Sequence, residues 1–104
     1  MSKDYYENQH GIQLQDFLVA FSDWQLKTWN YNFTMPQGFF LLNALKYKVR
    51  AGKKENNSLE SDLQKIEDYI ILAIRAGFER YEVELELEKL LQAFENYTGG
   101  EFEW

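Results

Sequence analysis

Residues 34–54 read TMPQGFFLLNALKYKVRAGKK and contain the start, both faces and the end of one helix. Thr34 can cap the free amides of a first helical turn, Gln37 can reach back to that cap, and Pro36 suits the first turn. Gly52 supplies the left-handed residue at which helices commonly end. We therefore predict a helix that begins after Thr34 and ends before Gly52.

The two faces of this helix differ in chemistry. At about 100° per residue, polar side chains fall in one sector and apolar side chains fall across from it. The polar sector contains Asn43, Lys46, Tyr47 and Arg50, and Gly52, Lys53 and Lys54 extend it around the helix end. The apolar sector contains Leu41, Leu42, Leu45 and Val49. Ammonium, guanidinium, amide and phenol groups together suit a phosphate or carboxylate ligand.

An intramolecular role for the same basic face is an equal alternative. Lys46 and Arg50 are a like-charged pair four residues apart, which is mildly destabilising without a counter-charge. Three acids of the next predicted helix could supply that charge if the two helices are antiparallel: Glu60, Asp62 and Asp68. An ion-pair network and a ligand site both stay open, and the two can coexist.

Another helix is predicted before Thr34, because four large apolar side chains recur at the spacing of one helical face. They are Leu14, Phe17, Leu18 and Phe21. Residues 1–11 form a polar lead-in before this helix, and residues 22–34 an aromatic loop after it.

A third helix is predicted after Gly52, with Asn57 or Ser58 as its cap. Its expected buried stripe consists of Leu59, Leu63, Ile66, Ile70, Ala73 and Ile74. Gly77 is expected to interrupt this helix.

A fourth helix competes with a strand, because residues 81–87 alternate between polar and apolar. The continuation favours a helix, since six apolar side chains share one helical face. They are Val83, Leu87, Leu90, Leu91, Phe94 and Tyr97. The glutamates at 82, 84, 86 and 88 are expected to form a solvated acidic face. Residues 101–104 are interpreted as a mobile tail, or as a segment that docks on a neighbouring subunit.

These elements predict an all-α fold: one domain over residues 1–104, arranged as a small bundle of about four helices. The chain contains 3 Trp, 7 Tyr and 8 Phe, more large rings than one small core readily buries. Some of these rings are therefore expected in a subunit interface, and we predict a homo-oligomer that completes the bundle.

The charge distribution limits the classes of partner. The net charge is -6, which argues against a general nucleic-acid-binding protein. Acids and bases balance over residues 1–78, so the whole deficit lies in residues 79–104. A local anion site can therefore exist within an acidic protein.

Several kinds of site are excluded by composition. There is no cysteine, so the chain has no disulfide, thiolate metal site or cysteine nucleophile. His10 is the single histidine and is expected to be an exposed loop residue. No apolar run is long enough for a membrane span, and no secretory signal is visible, so a cytoplasmic protein is expected.

The order of residues resembles a small bacteriophage family of uncharacterised domains, SaV-like (DUF3310), over about residues 5–75. The resemblance rests on Tyr5-Tyr6, on Gly11 to Leu18, on Leu42-Asn43-Ala44-Leu45-Lys46-Tyr47-x-x-Arg50-Ala51-Gly52-Lys53-Lys54 and on Asp62-Leu63-Gln64-Lys65-x-x-x-Tyr69. Some members are labelled nucleotide kinases. A His-Tyr pair typical of the family reads Tyr5-Tyr6 here, and an acidic position reads Gln13. The resemblance therefore implies a phage protein of the bacterial cytoplasm that binds without necessarily reacting.

Two functions are compatible with this sequence. The first is binding of a nucleotide or another phosphorylated ligand, with a nucleotide-kinase-like role as its extension. Its site would comprise Asn43, Lys46, Tyr47, Arg50, Gly52, Lys53, Lys54 and Lys65. A kinase would need magnesium, for which Asp62 is the candidate ligand. The second function is non-enzymatic: engagement of a host protein through aromatic and acidic surfaces.

Overall fold

The computed structural model describes residues 5–20, 33–53 and 58–99, and these ranges contain four helical segments. The segments are α1 (residues 14–20), α2 (Met35–Arg50), α3 (Leu59–Arg75) and α4 (Arg80–Asn96). Within the described ranges there is no strand, only an isolated antiparallel bridge between Glu7 and Gln13. The predicted all-α class is therefore confirmed. The predictions for residues 22–32 and 101–104 lie outside the described residues.

The ends of α2 follow the predicted chemistry. The Thr34 hydroxyl accepts from the Gln37 amide at 3.3 Å, and the Gln37 side-chain oxygen accepts from the Thr34 amide at 3.0 Å. Gly52 has φ +76°, the left-handed conformation that only glycine adopts readily. Both boundary signals are confirmed. Ser58, one of the two proposed caps of α3, accepts from the Ser61 amide at 3.0 Å.

α2 and α3 form an antiparallel hairpin. Arg50 at the end of α2 contacts Asp62 in the first turn of α3. At the other end, the Gln37 amide group donates to the carbonyl oxygen of Ala76, just after α3, at 3.0 Å. The antiparallel arrangement on which the ion-pair alternative depended is therefore present.

The buried stripe of α3 differs from the predicted one. Ile66, Ile70 and Ala73 are buried as expected, but Leu59 and Leu63 are 51% and 52% exposed. Those two predictions are wrong because Asp62 is fully buried and occupies the position, one turn before Ile66, that faces α2. The helix is thus rotated so that a carboxylate enters the interface and Leu63 faces outward.

α4 confirms the helical alternative over the strand. Val83, Leu87, Leu90 and Phe94 are buried along one face, as the periodicity predicted. The acidic face was predicted to be solvated, and this is wrong for Glu86, which is only 8% exposed. Glu86 is one residue from Leu87 and three from Val83, so it lies at the border of the stripe that packs on the core.

The turn between α3 and α4 depends on glycine, as expected from Gly77. That residue has φ +120°, and a Cβ atom there would lie 2.9 Å from the side-chain nitrogen of Gln37. Both the backbone conformation and the close approach of Gln37 therefore require the absence of a side chain.

The amino-terminal segment is docked on α4 rather than being a loose polar lead-in. Asn8 is buried, and its amide group donates to the carbonyl oxygens of Phe94 at 2.6 Å and Tyr97 at 2.7 Å. Its side-chain oxygen accepts from the amides of His10 and Ile12 at 2.8 and 3.0 Å. Asn8 thus holds a tight turn against the end of α4, while His10 is exposed as predicted.

No helix among the described residues is long and apolar enough to cross a bilayer. Several large apolar side chains on α2 are exposed, notably Met35 and Phe39. Self-association through such surfaces stays a prediction, which light scattering would test.

Removing the Asn8 amide is expected to destabilise the fold. Asn8→Ala breaks four hydrogen bonds at a buried position, and we expect the free energy of unfolding to fall by about 2 to 4 kcal/mol. Urea denaturation followed by circular dichroism would measure this. Gln9→Ala, which removes an exposed hydrogen bond to the Glu95 carbonyl, is the matched control and should cost less than about 1 kcal/mol. Equal losses in the two variants would contradict the anchoring role.

Candidate functional site

A buried ion pair joins α2 to α3. Nη2 of Arg50 lies 2.8 Å from Oδ1 of Asp62, and the two side chains are 8% and 0% exposed. Nη1 of Arg50 also donates to the Tyr6 hydroxyl at 3.3 Å. One guanidinium therefore connects α3 and the amino-terminal segment to the end of α2. Arg50 was predicted on an exposed donor face, and its burial corrects that placement.

The environment keeps Arg50 charged. Burial acts to lower the pKa of Arg50, but the hydrogen bonds with Asp62 and Tyr6 outweigh it, and the net pKa is raised above its ordinary value. A raised pKa of a base gives a stabilising contribution that is lost only as the pH rises through that folded value. Since this lies above the working range of proteins, the Arg50 contribution is constant at ordinary pH.

Tyr47 is the centre of the predicted site. The Arg50 guanidinium carbon lies 4.6 Å from the centroid of its ring, and the ammonium groups of Lys65 and Lys46 lie 5.1 and 5.6 Å from it. Tyr69 of α3 stacks on Tyr47 with centroids 5.8 Å apart and planes 15° apart. We call these five residues the Tyr47 cluster. Three cations from two helices thus converge on one electron-rich ring, a favourable geometry for each.

The Tyr47 cluster has more positive than negative charge. Asp62 is the carboxylate next to it, and its Oδ1 is bound to Arg50. Neither the Lys46 nor the Lys65 ammonium group has a carboxylate at ion-pair distance within residues 5–20, 33–53 and 58–99. Two lysines held near one ring without a counter-charge in this part of the chain are suited to an anionic ligand.

A cleft adjoins the Tyr47 cluster at Lys46. Its volume is about 300 Å³, and it lies between the amino-terminal segment, α1 and α2. Its polar lining consists of Tyr6, Gln13, Gln15, Asn43 and Lys46, and its apolar lining of Leu14, Leu18 and Leu42. We call it the Lys46 cleft. The Lys46 ammonium group lies 6.0 Å from the centroid of the Tyr6 ring, so this lysine is shared between cleft and cluster.

The remaining predicted site residues lie at varying distances from this centre. Asn43 lines the cleft, and its side-chain nitrogen donates to the Phe39 carbonyl at 2.9 Å. Gly52 lies in the exposed turn after α2, and the Lys53 ammonium group donates to the Glu7 carbonyl at 3.2 Å. Lys53 therefore fastens the amino-terminal segment instead of extending the donor face. Lys54 lies outside the described residues.

Sequence reasoning did not select Tyr6, Gln13 or Tyr69 as site residues, although each lies in the Tyr47 cluster or the Lys46 cleft. Their contacts join positions far apart in the chain, and helical periodicity carries no information on such contacts. One signal was available: all three fall in the stretches that carried the family resemblance. The two departures from the family pattern are at Tyr5 and Gln13, and Gln13 lines the cleft.

The magnesium assignment to Asp62 stays a prediction. Asp62 is fully buried and bound to Arg50, and the described part of the chain contains no group of three or more histidines, aspartates or glutamates positioned to hold a metal ion. Asp68, which was suggested with Asp62 as a counter-charge to the basic face, is exposed and accepts a hydrogen bond from Gln64 of its own helix at 2.9 Å.

Fold and site together define a small all-helical domain. Three cations surround the half-buried ring of Tyr47, next to a cleft lined partly by amide side chains. The family described as "protein of unknown function (DUF3310)" matches residues 2–71. That match covers more than half of the chain, and the chain belongs to this bacteriophage family. The matched range includes the amino-terminal segment, α1, α2 and most of α3, and therefore every residue of the Tyr47 cluster.

Two relatives are both called SaV protein. The SaV protein of Lactococcus phage SK1 is 31% identical over 68 residues, which is 65% of this chain and 46% of that protein. The SaV protein of Lactococcus phage p2 is 31% identical over 65 residues, which is 62% of this chain and 44% of that protein. The chain thus matches less than half the length of these relatives. No solved structure matches it.

The ion pair yields a stability prediction. Asp62→Asn leaves the Arg50 charge buried without its counter-charge, and the expected cost is about 3 kcal/mol or more. The single variant Arg50→Met and the double variant Arg50→Met/Asp62→Asn complete a cycle, and the double variant, which removes both charges, should recover part of that loss. A double-mutant cycle by urea denaturation measures the coupling.

The matched control for this cycle is Asp68→Asn, because Asp68 is an exposed aspartate of the same helix. It should change the free energy of unfolding by no more than about 0.5 kcal/mol. Strictly additive effects of the Arg50 and Asp62 substitutions would refute the coupling.

Proposed function

We propose that this protein binds a nucleotide or another phosphorylated ligand at the Tyr47 cluster, with the organic part of the ligand in the Lys46 cleft. The observation that carries the proposal is the convergence of Lys46 and Lys65 on the ring of Tyr47 without a carboxylate partner in the described ranges. Charged donors positioned by two different helices supply the electrostatic part of phosphate recognition.

Arg50 has a supporting role in this proposal. Its guanidinium is buried and bound to Asp62 and Tyr6. Arg50 therefore adds positive electrostatic potential and packs against the Tyr47 ring, and it makes no direct bond to the ligand. The two lysines are the direct phosphate contacts. Lysine is a point charge with three rotatable donors, which suits a phosphate held at the edge of an open cleft.

The Lys46 cleft favours an organic phosphate over inorganic phosphate alone. Its volume of about 300 Å³ is of the size of small-ligand pockets. The amides of Gln13, Gln15 and Asn43 offer both donors and acceptors, and amide side chains can pair with the edge of a nucleobase. Leu14 and Leu18 supply apolar wall area against which a ring can lie.

A kinase-like role would extend this proposal and has an additional requirement. Phosphoryl transfer depends on positioning and on charge neutralisation, for which magnesium is the usual cation. Asp62 would have to exchange Arg50 for the metal ion. Binding is therefore the part of the function that the geometry supports best.

Calorimetric titration with inorganic phosphate and with nucleoside mono-, di- and triphosphates, with and without magnesium, would test the proposal. We expect at least one organic phosphate to bind more tightly than inorganic phosphate. Lys46→Gln and Lys65→Gln should each weaken that binding by about tenfold, since a charge-assisted hydrogen bond contributes about 1.5 kcal/mol or more.

Lys48→Gln is the matched control, because Lys48 is also on α2 but lies 3.9 Å from Glu88, away from the Tyr47 cluster. It should leave affinity unchanged. No heat of binding at millimolar ligand would refute the proposal, and equal losses in the Lys46 and Lys48 variants would reduce it to a general charge effect.

A further inference from the structure

A second cleft lies at the opposite end of α2, where the α3–α4 turn meets the first two turns of α4. Its volume is about 440 Å³. The lining residues that matter for its chemistry are Phe33, Phe78, Tyr81, Glu82, Leu85 and Glu86. We call it the turn cleft. It shares no lining residue with the Lys46 cleft, so a ligand there would be bound independently of the phosphorylated one.

The apolar part of the turn cleft is aromatic and accessible. Phe33 packs edge-on against Phe78, with ring centroids 5.3 Å apart and planes 69° apart. Tyr81 and Leu85 are one turn apart on α4 and are 69% and 51% exposed. Large apolar side chains exposed beside a concave surface are characteristic of a binding site.

The polar part of the turn cleft is anionic. Glu82 is fixed in orientation, because its Oε1 accepts from the Glu79 amide at 2.9 Å in the capping box of α4. Glu86 is 8% exposed and lies one turn further along the same helix. No lysine or arginine lines this cleft among the residues that the structure describes.

The cations nearest the turn cleft are already paired with carboxylates. Arg80, next to Tyr81, lies 2.6 Å from Glu67 of α3 and 3.6 Å from Glu84. The hydrogen bond from Arg80 lowers the pKa of Glu67 below its usual value, as expected of a persistent pair. Lys89 lies 3.6 Å from Oε1 of Glu86, so Glu86 already has a cationic partner and Glu82 is the carboxylate considered for a ligand. The side-chain amide of Gln37 already makes two hydrogen bonds: its oxygen accepts from the Thr34 amide, and its nitrogen donates to the Ala76 carbonyl.

We propose that the turn cleft binds an arginine side chain of a partner protein. The aliphatic stem of an arginine can lie along Leu85, while its planar guanidinium stacks on an aromatic ring and pairs with a carboxylate. Cation–π attraction to Phe or Tyr adds to the ion pair with Glu82. The cleft supplies all of these contacts within two turns of one helix.

The charge of the surrounding surface favours a protein partner of basic character. The entire net charge of -6 arises from residues 79–104, and Glu84 and Glu88 continue the exposed acidic surface along α4. Such a surface steers a positively charged protein towards the cleft and disfavours an acidic one. This inference goes beyond the proposed function, because it concerns another site, the opposite ligand charge and a macromolecular partner.

NMR titration of the ¹⁵N-labelled full chain tests the proposal with a short acetylated Gly/Ser peptide that contains one central arginine. We expect amide shifts concentrated at residues 77–86. The same peptide with citrulline in place of arginine has nearly the same shape without the charge and should give shifts at least about threefold smaller. Glu82→Gln retains a capping oxygen and should weaken arginine-peptide binding by about threefold or more.

Glu60→Gln is the control for net charge, since Glu60 is an exposed glutamate of α3 that does not line the cleft. It should leave binding unchanged. Tyr81→Ala alters an exposed residue, keeps the fold intact and should weaken binding comparably to Glu82→Gln. Equal binding of the citrulline peptide, an equal effect of Glu60→Gln, a stronger response to free spermidine or shifts centred on the Lys46 cleft would each overturn the proposal.

Discussion

The buried pair of Arg50 and Asp62 is the interaction on which the arrangement of the site depends. Two charges removed from water are stable only if their geometry satisfies both, so this pair fixes the register of α2 against α3. Its 2.8 Å contact sets which face of α3 is turned inward. The same guanidinium bonds the Tyr6 hydroxyl, which places the amino-terminal segment over the end of α2. A sliding of either helix would leave a buried charge without its partner.

The pair also decides which cations are available to a ligand. By accepting from Arg50, Asp62 converts the arginine from a surface donor into a structural support for the Tyr47 ring. Lys46 of α2 and Lys65 of α3 are left as the accessible positive groups beside the Tyr47 ring. Selectivity for anions at this site therefore depends on two flexible ammonium groups held near a rigid aromatic platform, and the platform is rigid because Arg50 and Tyr69 pack against it.

Much of this fold was accessible from sequence, and the exceptions have one cause. Thr34 and Gly52 marked the ends of α2 because capping and left-handed conformations are local chemistry. Glu86 and Asn8 were misplaced, and the burial of Asp62 was not predicted although its pairing with Arg50 was one of the alternatives, because hydrophobic periodicity assigns every polar residue to solvent. Each of these three is buried in the structure, and two of them bond to partners far along the chain. The site followed the same division: Lys46 was selected by residue type and helical spacing and Lys65 lies in the stretch that carried the family resemblance, whereas Tyr6 and Gln13 enter the site only through tertiary packing.

A net charge of -6 does not conflict with an anion site, because charge acts over a limited range in salt. At physiological ionic strength exposed charges are largely screened beyond about 8 Å. A ligand near Lys46 and Lys65 therefore experiences those two ammonium groups and the Arg50–Asp62 pair far more than the distant acids of α4. The same screening separates the field of the turn cleft from that of the Lys46 cleft. One small helical domain can thus present local surfaces of opposite sign. On α2, Gln37 lines the turn cleft and Lys46 the other cleft, and their separation of nine residues, about 13 Å along the helix, exceeds the screening distance.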